Sequence, residues 1–76
     1  MRKKKRQADK WLRAVGENIR HERKIAGLTQ EKLAELADLA PRVVQKIEAG
    51  QITILISTLR RLRKAIGCRY ERLLEE

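Results

Sequence analysis

The side chains able to do chemistry in this sequence are mostly cations. Nineteen Lys and Arg stand against ten Asp and Glu over 76 residues, a formal net charge of +9 with the one His neutral. The excess is uneven: residues 1–24 carry +7, residues 25–56 carry −1 and residues 57–76 carry +3. Such a chain attracts a polyanion by counterion release and by its focused field, and nucleic acid or an anionic membrane surface both answer on charge alone. Catalysis finds no support. No nucleophile stands beside a base, and no glycine-rich loop is shaped for phosphate. His21 has polar neighbours and no second His or Cys close by, so it reads as a surface histidine without partners for a metal. Glu35 and Asp38 lie three apart, an ordinary pair of surface acids. The single Cys68 excludes an intramolecular disulfide and a multi-cysteine zinc site. No enzyme, metal or cofactor is expected. No apolar run is long enough to cross a membrane and no signal-peptide core is present, so a reduced, cytoplasmic setting is expected.

The elements that hold these charges follow from composition and spacing. Seventy-six residues allow one domain, near the lower limit for a self-sufficient core, so stability should borrow from oligomerisation. With no Phe, one Trp, one Tyr and one Pro, the core must be Leu, Ile, Val and Ala, which favours helices. The central stretch is Thr29 to Gly50. Thr29 suits an N-cap, and Glu31 complements the positive end of a helix dipole. Leu33, Ala34, Leu36 and Ala37 make an apolar stripe. Asp38-Leu39-Ala40 breaks the period. Pro41 suits the first position of a second helix, whose Val44 and Ile47 share one face, and Gly50 suits its C-terminal cap. Upstream, Leu12, Val15, Ile19 and Ala26 keep a helical spacing with Arg23 on the same stripe. That helix starts at Asp9, as a cap, or only near Val15, because Gly16 costs about 1 kcal/mol relative to Ala. Gly27 ends it. Downstream, Leu55, Leu59, Leu62 and Ile66 define an amphipathic helix ended by Gly67, capped by Thr53 or a later residue. A last short helix carries Tyr70, Leu73 and Leu74. Five helices are expected, near 10–26, 30–37, 41–49, 56–66 and 69–75, with Leu33, Ala34, Val44, Ile47, Leu59 and Leu62 buried together. Residues 1–8, with Arg2-Lys3-Lys4-Lys5-Arg6, read as a disordered basic arm and residues 9–76 as the folded domain. The arm either follows a DNA backbone or enters a minor groove, or is a solvated tail.

Two short helices joined by a tight turn, with small or apolar residues at Leu33, Ala34, Ala37, Leu39, Val44 and Ile47, resemble the DNA-binding helix-turn-helix. From Gly27-Leu28-Thr29-Gln30 to Glu48-Ala49-Gly50 the chain is similar to the phage-repressor and Cro-like regulators, and the resemblance covers Val15 to Leu74. It implies an all-α, five-helix, lambda-repressor-like domain that binds double-stranded DNA. It implies that the second helix of the motif enters the major groove, where Ala40, Pro41, Arg42, Val43, Gln45 and Lys46 are the candidate readers. Arg42 is the first choice, since its guanidinium can bond bidentately to O6 and N7 of guanine. Gln30, Gln51, Arg23, Arg60 and Arg61 are the phosphate candidates. The resemblance also implies an ion pair between Arg23 and Glu48, and a buried, inert Cys68 where relatives usually carry Val.

The chain departs from its relatives in three places. Asp38 stands where they often have Gly. Ala40 and Pro41 stand where they often carry Gln, Ser or Thr, so a Gln30 brace to the second helix loses its partner at Pro41. The Ile52-Thr53-Ile54-Leu55-Ile56 loop is apolar where theirs is polar. A palindromic operator read by a homodimer, and action as a repressor, are the expected function. An antitoxin that binds a toxin protein as well as its own operator is the alternative, with the apolar loop or Trp11 facing the toxin. A membrane-bound role ranks far lower, because the apolar stripes are taken up by mutual packing.

Overall fold

The computed structural model describes the backbone of residues 2–76 and the side chains from Lys10 onward. Five helices follow in order: α1 (Arg2–Ile25), α2 (Gln30–Ala37), α3 (Pro41–Glu48), α4 (Ile56–Ile66) and α5 (Tyr70–Leu74). No strand forms among the described residues. Helix α1 packs against α3, α4 and α5, while α2 packs against α3 and α4. The core they enclose is Val15, Ile19, Leu33, Ala34, Ala37, Val44, Ile47, Leu62 and Leu73. It is aliphatic throughout, as the lack of Phe requires.

Helix ends are closed by one recurring device. The Leu28 N–H reaches the Arg23 carbonyl at 3.1 Å and the Gly27 N–H reaches that of Lys24 at 3.0 Å. The Leu39 and Asp38 N–H groups do the same to Ala34 and Glu35, and those of Gln51 and Gly50 to Lys46 and Ile47. Each is a Schellman motif, with Gly27, Asp38 and Gly50 in the left-handed region. Asp38 is the non-glycine among them, at φ 57°. Its short polar side chain makes that conformation tolerable. At the start of α2, the Thr29 hydroxyl accepts from the Lys32 N–H at 3.0 Å, as its cap position predicts.

Several expectations are corrected. Helix α1 runs unbroken through Asp9 and Gly16, so neither the start at Asp9 nor the one near Val15 holds. The arm expected over residues 1–8 falls on residues whose side chains lie outside the described set. Gly16 is no interruption but a contact. A Cβ there would meet the carbonyl oxygen of Ile47 and, at 2.7 Å, that of Glu48, so α3 comes too close to α1 for any side chain. Leu36 is 51 % exposed, outside the core face of α2. In α4 the buried residues are Thr58 and Leu62, whereas Leu59 is half-buried and Leu55 is exposed. Leu55 is the N-cap, in extended conformation and without a side-chain cap bond, so a helical period cannot be projected through it. Ile52 and Ile54 pack against the core from an irregular loop. Asn18 donates its amide to the carbonyls of Leu73, at 3.1 Å, and Glu75, tying α5 to α1.

The Gly16 contact makes a direct test. Gly16→Ala gains about 1 kcal/mol of helix propensity. It then forces a methyl against two backbone carbonyls, an overpacking cost of ~1–3 kcal/mol or more. The net outcome expected in urea denaturation is a loss of stability, where an open helix position would show a gain.

Candidate nucleic-acid interface

Helix α3 has eight residues and two unlike sides. Val44, Ile47 and Glu48 are buried. Arg42, Gln45 and Lys46 are exposed. Their spacing, i, i+3, i+4, puts them on one outward stripe. Ala40 and Pro41 are exposed at the N-terminus of the helix, Ala40 as a cap with no side-chain bond and Pro41 in the first turn. Val43 is half-buried and packs against the core, so it offers the least surface of the candidate readers. Gln51 is exposed just beyond the helix, its N–H engaged in the closing motif.

Glu48 anchors α3 from inside. The Arg23 Nε donates to its Oε2 at 2.7 Å and Nη2 donates to its Oε1 at 3.2 Å. The Arg23 Nη1 donates to the Leu28 carbonyl at 2.7 Å. The side chains of Arg23 and Glu48 are only 9 % and 3 % exposed. The guanidinium offered as a phosphate ligand is therefore turned inward. Its pairing with Glu48, implied by the family likeness, is present, with the fork geometry that fits a carboxylate.

Sequence reasoning missed the third member. The Gln30 Nε2 donates to Glu48 Oε1 at 2.9 Å. The brace lost at Pro41 is thus replaced at the other end of α3, where Glu48 lies 18 residues along the chain from Gln30. Only the fold brings the two together, and no local spacing signals it. One N–H of the Gln30 amide remains free, beside the open N–H groups that begin α2. Gln30, Gln45, Ala49 and Arg20 line one groove with the Arg23–Glu48 pair at its base. Arg60 and Arg61 are exposed on α4, and Arg61 makes a long, solvated pair with Asp38 at 3.9 Å.

Cys68 is half-buried. Burial raises its thiol above the ordinary value, and the Glu22 carboxylate adds to this, while Arg63 and Arg72 act against it. A raised value leaves less thiolate at neutral pH. Alkylation by iodoacetamide is therefore expected to be slower than for free cysteine at neutral pH, with a midpoint displaced to higher pH. A rate equal to free cysteine would contradict this environment. Truncating Glu48 to Ala strands a buried guanidinium and is expected to cost about 3–5 kcal/mol in chemical denaturation. Gln30→Ala, which removes one neutral donor, should cost only about 0.5–1.5 kcal/mol.

The helix-turn-helix family model matches residues 19–73, well over half the chain. No curated protein matches the sequence. Among solved structures, the chain is similar to the restriction-modification controller protein C.AhdI from Aeromonas hydrophila. The two are 31 % identical, with a TM-score of 0.78 over 82 % of this chain and 94 % of that one. Among the described residues no helix is long and apolar enough to cross a membrane. With the five-helix fold and the two-sided α3 already in place, these likenesses put the chain in the helix-turn-helix family of phage-repressor and Cro-like DNA-binding transcription regulators.

Proposed function

We infer that the protein acts as a homodimer, reads a palindromic operator through the major groove with the outer stripe of α3, and represses the gene it controls. The observation that carries this reading is the division of α3. Arg42, Gln45 and Lys46 are exposed along one side, while Val44, Ile47 and Glu48 hold the other side to the core. A helix so presented fits the major groove, where each base pair shows a distinct pattern of donors and acceptors. Arg42 reads guanine, Lys46 a base or phosphate, and Gln45 stands beside them. Gln30, braced by Glu48, contacts phosphate with its free N–H and the start of α2.

One recognition helix covers only a few base pairs, so two copies about 34 Å apart are needed for a useful site. Support for pairing comes from an apolar groove lined by Trp11, Leu12, Val15, Ile54, Ile56 and Leu59. Ile56 and the adjoining Leu55 are 86 % and 69 % exposed, an expensive arrangement for a lone monomer. The likeness to a restriction-modification controller favours the genes of such a system as the target. A DNA partner places the protein with the nucleoid in the cytoplasm.

Selection on randomised DNA, followed by sedimentation of the complex, tests the operator and the dimer: a palindromic consensus bound by two chains is expected, and an asymmetric or featureless consensus would overturn it. Within that site, Arg42→Ala should leave folding intact and cost ~1–3 kcal/mol of operator affinity. The loss should relax preference at a single position of each half-site. A uniform loss across all singly substituted operators, with a smaller salt slope, would make Arg42 a phosphate contact and pass the reading role to Lys46 or Val43.

A further inference from the structure

The turn between α4 and α5 builds a second charged surface. A cleft of about 560 Å³ there is lined by Glu22, Arg63, Gly67, Cys68, Arg69 and Arg72. None of its three arginines forms an ion pair among the described residues. Arg63 is held in place without being satisfied. Its Nη1 donates to the Cys68 carbonyl at a long 3.4 Å, and its guanidinium carbon lies 4.8 Å from the centroid of the Tyr70 ring. Its Nε is closed off from solvent with no acceptor at all. Such a group is preorganised, so little ordering is lost when a partner arrives. None of Gln30, Arg42, Gln45 and Lys46 lines this cleft, and α5, which forms one wall, packs on α1.

We propose that the cleft docks an acidic segment of a partner protein, independently of the DNA. Three guanidinium groups against the single carboxylate of Glu22 leave it positive, and the arginine fork matches a carboxylate bidentately. The presence of Glu22 selects between polyanions. A phosphodiester backbone offers only acceptors and leaves Glu22 repelled and unpaired. A peptide offers carboxylates to the arginines and backbone N–H groups to Glu22. The site adds to the regulator a surface for a protein partner that DNA binding neither uses nor blocks.

The test uses a blocked octa-glutamate peptide and the full chain, with two signals: fluorescence-detected binding of the labelled peptide, and alkylation of Cys68, which lines the cleft and is the only cysteine. The peptide is expected to bind and to slow alkylation. Arg69→Ala with Arg72→Ala should weaken peptide binding by about tenfold. Lys24→Ala with Lys64→Ala removes the same charge from exposed positions that do not line the cleft, and should change it by less than about twofold. Affinity of the Arg69/Arg72 double variant for duplex DNA, measured separately, should fall no further than that of the Lys24/Lys64 double variant, which loses the same charge. A failure of DNA binding in the wild type is thereby told apart from a failure of this proposal. Equal losses in the two double variants would reduce the effect to general charge attraction and overturn the proposal. So would absence of peptide binding. Protection of Cys68 by random duplex DNA, with lost DNA affinity in the Arg69/Arg72 double variant, would make the cleft a nucleic-acid surface instead.

Discussion

The contact on which the arrangement of this molecule most depends is the one between Arg23 and Glu48. Arg23 lies in the last turn of α1 and Glu48 at the end of α3, and Gln30 joins them from the first turn of α2. Three helices are thus held by one carboxylate, and Arg23 also holds the Leu28 carbonyl where α1 turns into α2. A pair this buried does not reliably add net stability, because two desolvated charges cost nearly as much as their attraction returns. Its effect is on geometry. A hydrophobic contact at the same place would let α3 slide or rotate, whereas a bidentate fork with fixed distances does not. If Arg42, Gln45 and Lys46 read base edges as proposed, a small rotation of α3 is enough to misplace their stripe.

The backbone supports the same constraint by close approach. Gly16 lets the end of α3 come against α1 with carbonyls at the distance a methyl would need, and Gly50 does so on the other side of the turn. A Cβ at Gly50 would lie 2.7 Å from the Arg13 Cα, and its φ of +69° is itself suited to glycine. The two glycines and the ion pair bracket α3 at its C-terminal end. Its N-terminal end, with Ala40 and Pro41, is left open to solvent. The helix is anchored at its C-terminal end and exposed at its N-terminal end.

Surface chemistry is divided accordingly. The outer stripe of α3 and the start of α2 expose hydrogen-bond donors. The groove beside Trp11 and Ile56 is apolar, and the cleft beneath Arg63 is cationic. A small domain with an aliphatic core has little surplus stability, so an apolar groove left open is a load that pairing would relieve. The basic excess spreads over the rest of the surface and raises affinity for any duplex, while direction and register depend on a handful of fixed side chains.

Much of this was legible in the amino-acid sequence, because it depends on neighbours in the chain. Thr29 as a cap, Pro41 opening a helix, Gly27, Gly50 and Gly67 closing them, and the two-sided α3 are local matters of dihedral preference and helical period. The helix-turn-helix likeness, and with it the pairing of Arg23 and Glu48, rode on the same local pattern. Other features belonged to the tertiary structure alone. Gly16 read as a weakness in a helix and proved to be the point where two helices touch, since a propensity scale knows nothing of a second backbone. Leu55 and Leu59 kept a perfect period, yet Leu55 is exposed and Leu59 only half-buried against the core, because Leu55 is not in the helix and the buried face falls on Thr58 and Leu62. The Gln30 brace to Glu48, the Asn18 tether of α5 and the gathering of Arg63, Arg69 and Arg72 around Cys68 join residues that no spacing rule connects. Short-range energies decide which residues are helical and which side of a helix is apolar. Only packing in three dimensions decides which polar groups are brought within reach of one another.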